Sequence, residues 1–216
     1  MSTKTTLWIS LFLIAAAVIF SLAVYNQLPD RMASHWGVND QVNGTISRFW
    51  GAFLMPIIKL AMLALFLLVP AIDPLKANIA KFRGVFNLFI LFLMVFMAYL
   101  HGLTLVWNLG YTGFHMSTAL LPAMGLLFVL VGAMLAQAKR NFFIGIRTPW
   151  TLSSDRVWDK THALGSKLFI LSGLITFFGA FLGGMTAFIF VFVPLMATAL
   201  FLVVYSYIVY RQETGL

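Results

Sequence analysis

Long apolar runs constrain this chain more than any other feature of its sequence. The hydrocarbon core of a bilayer is about 30 Å thick and needs about 20 apolar residues per helical crossing. Six such runs follow one another, at residues 7–25, 49–71, 85–107, 117–138, 168–182 and 185–210. Only Gly183 and Gly184 separate the last two, and we predict a tight hairpin there because one unbroken run would be about twice the required length. The sequence therefore predicts an all-α, polytopic integral membrane protein with six transmembrane helices.

Composition supports this fold class. The chain has 216 residues, of which 62% are hydrophobic and 9% charged. A soluble domain carries about 25% charged residues, so a water-soluble fold is excluded. The absence of cysteine excludes disulfides, thiolate metal sites and cysteine nucleophiles.

The cations are distributed unevenly between the two predicted sides of the membrane. Eleven of the fourteen Lys and Arg residues fall on one side: Lys4, Lys76, Lys81, Arg83, Lys139, Arg140, Arg147, Arg156, Lys160, Lys167 and Arg211. By the positive-inside rule this side is cytoplasmic, and both termini lie there. The net charge of +8 is thus a signal of topology and of contact with membrane lipids in the plasma membrane. Direct nucleic-acid binding is not expected.

We predict two halves with three spans each. Residues 1–110 carry an external loop between the first two spans, and residues 111–216 carry a cytoplasmic loop at 139–167. In the external loop Pro29 is expected to end the first helix, and Asn43-Gly44 is a strong turn signal. Trp36 fits the aromatic belt at the membrane interface, which leaves the adjacent His35 unexplained.

Three polar residues within the predicted spans, Lys59, Asn87 and His101, are candidates for a functional role. Lys59 lies near mid-membrane, where a cation is costly enough to suggest function; alternatively its long stem reaches the interface, or its amine meets a backbone carbonyl or Asn87. His101 falls near the outer end of the third span. With His35 and His115 it could form a metal or proton-sensing cluster, but no acidic ligand stands beside them, and isolated interfacial histidines are the favoured interpretation. We expect no metal and no cofactor.

The cytoplasmic loop is the longest polar interval of the chain. Gly145 interrupts its apolar start, and Thr148 is biased towards an extended conformation because Pro149 follows it. Ser153 or Ser154 can cap a short amphipathic helix at the inner interface, with Asp155 in its first turn. Trp158 and His162 lie four residues apart on one face of that helix, and Gly165 is suited to end it.

Arg147 is the most conspicuous residue of this loop. A guanidinium beside a proline turn could bind a lipid phosphate or a partner carboxylate in bidentate fashion. Alternatively Arg147 and Trp150 only anchor the loop to the headgroups. The residues alone leave both readings open.

Two stretches resemble a known family. The run Gly145-Ile146-Arg147-Thr148-Pro149-Trp150-Thr151, followed by Ser154, Trp158, Thr161-His162 and Gly165, resembles the signature loop of the SdpI family, the immunity proteins against exported killing factors of sporulating bacteria. Leu28-Pro29, His35-Trp36 and Asn43-Gly44 are similar to the amino-terminal conserved domain that commonly precedes that loop. Asn43 departs from the acidic residue frequent at its position, and Thr45 stands where an aromatic residue often follows the glycine.

The resemblance implies a function and two sites. It implies protection of the cell from a secreted membrane-active peptide toxin and, as in signalling members of the family, recruitment of a cytoplasmic DNA-binding repressor. Toxin recognition would fall to the external residues Pro29, His35, Trp36, Asn43 and Gly44. Partner or lipid binding would fall to the cytoplasmic residues Gly145, Arg147, Thr148, Pro149, Trp150, Ser154, Trp158, Thr161 and His162.

Two other function classes remain as alternatives. A small-solute or ion transporter would need ionisable groups inside the membrane, where Lys59 is the one charged candidate. An intramembrane enzyme could use Asp155, Asp159 and His162 as metal ligands. The sequence contains neither a zincin motif nor a nucleophile elbow, and helix capping explains the aspartates more simply, so we do not expect an enzyme.

Overall fold

The computed structural model describes residues 1–215 and contains six helices long and apolar enough to cross a membrane. They are α1 (Thr3–Val24), α2 (Arg48–Ile72), α4 (Arg83–Asn108), α5 (Met116–Leu135), α7 (Asp155–Gly179) and α8 (Gly184–Thr214). Two short helices, α3 (Lys76–Lys81) and α6 (Pro149–Ser153), lie in connections. The six-span, all-α fold class predicted from the apolar runs is confirmed.

The spans run alternately up and down, which gives the bundle two distinct ends. We call the end with both termini, α3 and the α5–α7 connection the basic end. The opposite end carries a β-hairpin between α1 and α2, and we call it the hairpin end. In the first half α1 packs against α2 and α4, and in the second half α5 packs against α7, which also contacts α8. The contact between α4 and α5 joins the two halves.

Helix α1 packs mainly through small and polar residues and turns its large aromatic ones outward. The buried positions of α1 are Thr6, Ser10, Ile14, Ala17 and Ser21, which recur every three to four residues and so form one helical face. Outward positions such as Trp8 and Phe12 are 69% exposed, as expected for contact with lipid. Small side chains on the inner face let the backbones approach closely.

The packing of α5 against α7 depends on two glycines in particular. A Cβ added to Gly173 would come within 2.6 Å of the Gly125 carbonyl oxygen and 2.7 Å of the Val129 nitrogen. A Cβ on Gly125 would lie 2.6 Å from the Phe177 nitrogen. Because these neighbours are backbone atoms, the two helix backbones are in direct contact.

The predicted hairpin between the last two spans is confirmed. A 3-10 turn at Ala180–Leu182 follows α7, and Gly183 and Gly184 then adopt positive φ angles of 71° and 50°. Residues with a Cβ rarely adopt such angles, which explains why two glycines make the turn.

The hairpin end contains two strands that the sequence analysis did not include. Strand β1 (Arg31–Trp36) pairs antiparallel with β2 (Val42–Ser47). The turn predicted at Asn43-Gly44 is wrong, because both residues lie within β2. Instead the Gly37 amide donates to the Gln41 carbonyl, and the Asp40 amide to the Gly37 carbonyl, each over 2.9 Å. Gly44 lies opposite His35, where an added Cβ would be 3.0 Å from the His35 Cβ.

The helix predicted to end at Gly165 continues into the fifth span. Ser154 caps α7 by accepting from the Val157 amide, and Asp155 occupies its first turn, as predicted. Gly165 is buried inside α7 and does not terminate it. An added Cβ there would meet Ile146 Cδ1 at 2.6 Å and Leu202 Cδ1 at 3.3 Å. Its missing side chain therefore makes room for the preceding connection and for α8.

Candidate functional site

The connection between α5 and α7, residues 136–154, folds over two stacked rings at the start of α7; we call it the signature loop. Trp158 is fully buried, and its indole Nε1 donates to the Ala138 carbonyl over 2.9 Å. The His162 ring stacks on Trp158 with centroids 3.9 Å apart. The same face of α7 thus carries both rings, as their spacing predicted.

His162 joins α7 to the middle of the signature loop. Its Nε2 accepts a hydrogen bond from the Ile146 amide over 3.0 Å. A nitrogen that accepts from an amide is unprotonated, so Nδ1 carries the proton and donates to the Trp158 carbonyl over 2.9 Å. His162 therefore serves as a neutral hydrogen-bonded support for the loop.

Gly145 approaches these rings too closely for any side chain. Its φ is +118°, and an added Cβ would lie 2.4 Å from His162 Nε2 and 3.2 Å from the Trp158 ring. This position therefore requires glycine both for backbone conformation and for space.

Asn141 organises the first turn of the loop, a role that the sequence analysis missed. Its side chain is fully buried; Oδ1 accepts from the amides of Phe143 and Ile144, and Nδ2 donates to the carbonyls of Lys139 and Ile144. Such local bonds are the reason that Asn favours turns. The sequence signal for this turn was the position of Asn141 directly after Lys139-Arg140 and before the apolar pair Phe142-Phe143.

Thr148 and Thr151 form a reciprocal capping box that starts α6. The Thr151 amide donates to Thr148 Oγ1, and the Thr148 amide donates to Thr151 Oγ1 over 2.9 Å. Thr148 is extended, as predicted from the following proline. Its hydroxyl also lies 3.0 Å from Ser206 Oγ, which fastens the loop to α8.

Asp73 fastens the signature loop to the first half of the protein. It is almost fully buried at the end of α2, and its two carboxylate oxygens accept from the Leu75 amide over 2.6 Å and the Phe142 amide over 2.9 Å. Asn78 adds a bond from its side-chain amide to the Arg140 carbonyl. The two contacts to the loop were not predictable from the sequence, because Asp73 and Phe142, and likewise Asn78 and Arg140, lie more than sixty residues apart.

The exposed surface of the loop is basic and apolar. Arg147 projects from it and donates to the Phe142 carbonyl over 2.8 Å. Phe142 and Phe143 are 44% and 38% exposed. Trp150 packs against Tyr207 of α8, with ring centroids 5.1 Å apart. The predicted cytoplasmic site thus divides into a buried support (Thr148, Trp158, Thr161, His162), with the half-buried Gly145 against it, and an outward surface (Arg147, Pro149).

The three residues considered as metal ligands do not converge. Asp155 is paired with Arg140 over 2.6 Å, and Asp159 with Lys139 over 3.3 Å. His162 uses both ring nitrogens inside the loop. Within residues 1–215 no group of three metal-ligating side chains is assembled.

The hairpin end contains a cavity of about 780 Å³. The hairpin contributes its polar side, including His35, Trp36 and Asn43, whereas α2, α4, α5 and α8 contribute mainly apolar side chains. His35 Nδ1 is hydrogen-bonded to Asn43 Oδ1. Of the predicted external site, Pro29 and Gly44 are not among the residues that line the cavity.

Asn108 and an aromatic row hold the hairpin on α4. Asn108 Oδ1 accepts from the Ala33 amide over 2.7 Å, and its Nδ2 donates to the Ala33 carbonyl over 3.0 Å, which imitates the pairing of a neighbouring strand. Trp36 packs edge-on against Trp107, with centroids 5.7 Å apart, and Trp107 packs likewise against Phe114.

Known protein families match both the signature loop and the β-hairpin. Residues 137–206 match the SdpI/YfhL protein family, and residues 12–60 match a domain of unknown function named DUF1648. The chain is also 24% identical over 209 residues to the protein named Immunity protein SdpI of Bacillus subtilis (strain 168), covering 96% of this chain and 97% of that protein. The SdpI/YfhL match and the near full-length similarity to Immunity protein SdpI together support membership of the SdpI/YfhL family. No solved structure matches.

Family membership and the six apolar helices together make this chain a multi-pass protein of the cell membrane. The family match begins at the second residue of the signature loop and extends through α7 into α8, so it includes the buried support around Trp158 and His162. The DUF1648 match includes both strands of the hairpin.

Lys59 and Asn87 are buried inside the spans, and each donates a hydrogen bond. Lys59 is fully buried, and its amine donates to the Leu13 carbonyl of α1 over 3.3 Å, which is the carbonyl contact considered above. Asn87 instead donates to the Met1 carbonyl and Thr3 Oγ1 near the basic end.

His101 is not an interfacial residue, contrary to the favoured interpretation. It is 2% exposed, and its Nε2 lies 2.9 Å from Ser21 Oγ, which donates to the Ala52 carbonyl over 2.7 Å. His35 and His115 lie at the hairpin, each with a different partner, so the three histidines form no cluster.

Proposed function

We propose that this protein is an integral membrane immunity protein that protects its own cell against a secreted, membrane-active peptide toxin. The observation that carries the proposal is the near full-length similarity to a protein named as an immunity protein. The two matched regions include the signature loop and the β-hairpin, where the candidate sites lie. Family membership also supports a non-enzymatic role.

The hairpin end is the proposed site of toxin recognition. The basic end carries eleven of the fourteen cations, so by the positive-inside rule the hairpin faces the outside of the cell. His35, Trp36 and Asn43 border the cavity, where a ligand can reach them. Pro29 and Gly44 shape the hairpin instead, since Pro29 precedes β1 and Gly44 lies against His35.

The signature loop is the proposed docking site for a cytoplasmic DNA-binding repressor. The exposed Arg147 offers a guanidinium that a partner carboxylate can bind, and Phe142 and Phe143 offer apolar area beside it. The buried residues around His162 hold this surface in place. Lipid phosphates are a second class of ligand for the same guanidinium.

Arg147→Ala tests the role of the basic end. Expressed at matched membrane abundance, this variant should lose repressor recruitment or protection, because a carboxylate loses its bidentate partner. Arg156→Ala, a change at another exposed arginine of the same end, is the control and should retain both. Full recruitment and full protection by Arg147→Ala would overturn this assignment.

A transporter is a second candidate because Lys59 and His101 are both buried within the first three spans. A fully buried cation without a carboxylate partner is a feature of transport pathways. Solute or ion flux in proteoliposomes that disappears in Lys59→Leu would support transport. Unchanged flux in that variant would remove Lys59 from consideration.

A further inference from the structure

We infer that the cavity beneath the β-hairpin is a binding site for an apolar, cationic peptide segment, with the hairpin tip as its lid. The inference rests on the proposed function, since it names the place where a toxin segment would bind. Nothing in the family matches assigns this cavity.

The walls of the cavity are suited to apolar side chains. Met55 of α2, Leu100 of α4, Leu121 of α5 and Phe188 of α8 line it. The volume of about 780 Å³ falls within the range of about 300–1,000 Å³ typical of ligand pockets. It therefore fits a few residues of a peptide rather than a whole helix. Methionine side chains adapt their shape to different apolar partners.

The polar side of the cavity indicates the charge of the ligand. Among its lining residues, all within the described part of the chain, there is no Lys or Arg, and Asp40 is the single charged residue. A phosphate headgroup would require cations, so the lining disfavours a phospholipid. A peptide with a Lys, Arg or free amino terminus is complementary to Asp40, and the side-chain amides of Asn39 and Asn43 can bond to its backbone.

Asp40 also holds the hairpin tip across the cavity. One carboxylate oxygen accepts from the Ser117 amide over 2.7 Å, and the other accepts from the Ser117 hydroxyl over 2.6 Å. Ser117 lies in the first turn of α5, whose own N-cap residue, His115, makes no side-chain cap bond. Asp40 thus caps α5 from another element, and His115 Nδ1 lies 3.3 Å from it.

The Asp40 carboxylate therefore has two roles: it holds the lid closed, and it is the group that a cationic ligand would bind. A ligand cation that approaches Asp40 competes with Ser117 and His115 for its two oxygens. Displacement of these bonds releases the hairpin tip from α5, so ligand binding at the cavity is coupled to movement of the hairpin.

The experiment measures binding of a purified exported killing peptide to the full-length protein in lipid nanodiscs, beside survival of a sensitive host. Leu121→Trp places an indole inside the cavity and should weaken peptide binding by about tenfold or more, because the ligand's volume is occupied. Leu126→Trp is the matched control, since Leu126 lies on the same helix, is 45% exposed and does not line the cavity. Asp40→Ala should weaken binding of the cationic peptide as well.

A measurement on the wild-type chain covers the case in which a variant does not fold. A peptide with a photoreactive apolar residue should crosslink to cavity-lining residues of α4, α5 or the hairpin. Crosslinks confined to the outward face of α8 would overturn the inference.

The outcomes separate the inference from the proposed function. Protection by wild type and Leu126→Trp but not by Leu121→Trp supports both. Equal protection and binding by all three would overturn the cavity site and leave immunity standing. No protection by the wild type would overturn the proposed function. A fluorescent lysophospholipid that binds the wild type but not Leu121→Trp, while the peptide binds both equally, would assign the cavity to lipid and overturn the inference.

Discussion

Buried side chains that use several polar atoms at once hold the signature loop in shape. Trp158 and His162 supply the stacked rings, and Asn141 supplies two acceptor and two donor bonds to nearby backbone groups. Loss of any one of them leaves backbone groups unpaired in a dry environment, where each such group is costly. Substitution of an exposed residue such as Arg147 leaves no buried backbone group unpaired and so avoids this free-energy cost.

Asn141→Leu should destabilise the protein strongly. The amides of Phe143 and Ile144 lose their acceptor, and each buried group left without a partner costs about 1–3 kcal/mol. Thermal unfolding of the purified protein in detergent measures the change. Asn26→Leu, at an exposed asparagine, should stay within about 0.5 kcal/mol of wild type. Equal stability of the two variants would contradict the role of Asn141.

Gly145→Ala should also destabilise the loop. A non-glycine residue at a strained positive φ costs about 1–3 kcal/mol, and the new methyl group would lie 2.4 Å from His162 Nε2. Gly113→Ala is a suitable control because nothing lies within 4 Å of a Cβ at that loop position. The unfolding temperature should fall for Gly145→Ala alone; an unchanged value would show that the loop can rearrange around the methyl group.

At the scale of elements, α5 and α7 pack through contact between backbones at Gly125 and Gly173. Backbone atoms cannot move aside as a flexible side chain can, so a single methyl group separates the helices. Membrane helices rely on such close packing because lipid provides no hydrophobic force between them.

Gly173→Ala is therefore expected to destabilise the second half. Overpacking at such a contact costs about 1–3 kcal/mol. Gly102→Ala in α4 meets nothing within 4 Å and should leave stability unchanged or raise it, since Ala is favoured over Gly by about 1 kcal/mol inside a helix. Detergent unfolding of the two variants side by side measures the difference. A larger loss in Gly102→Ala than in Gly173→Ala would contradict the packing described.

Elements with local signals were predictable from the sequence. Apolar run length located all six spans, and the pair Gly183-Gly184 located the last turn. Of the two serines expected as a helix cap, Ser153 and Ser154, the second caps α7. The four-residue spacing of Trp158 and His162 placed both rings on one face. Each of these features depends on neighbours within a few residues.

Features that depend on distant partners were not predictable. Asn43-Gly44 has the composition of a turn, but β1 pairs with it and the tip of the hairpin is fastened to α5 through Asp40. Gly165 has the composition of a helix end, but it makes room for Ile146 and Leu202 inside a continuous helix. Tertiary contacts override local preference at both glycines.

At the scale of the whole molecule, the bundle connects the two ends that carry the proposed sites. The hairpin end has a cavity with an acidic lid residue, and the basic end has an ordered loop fastened to α2, α7 and α8. Asp40 bridges the hairpin to α5, and Asp73 bridges α2 to the loop. Each contact joins the first half of the chain to the second at its own end of the bundle.

The most direct test of the central claim is survival of a toxin-sensitive bacterial host that expresses this protein and is challenged with purified killing peptide. We predict that the wild type protects the host, that Leu126→Trp protects equally, and that an empty vector gives no protection. Membrane abundance of each protein is matched before the challenge. Wild-type cells that die at the same peptide concentration as empty-vector cells would contradict the account.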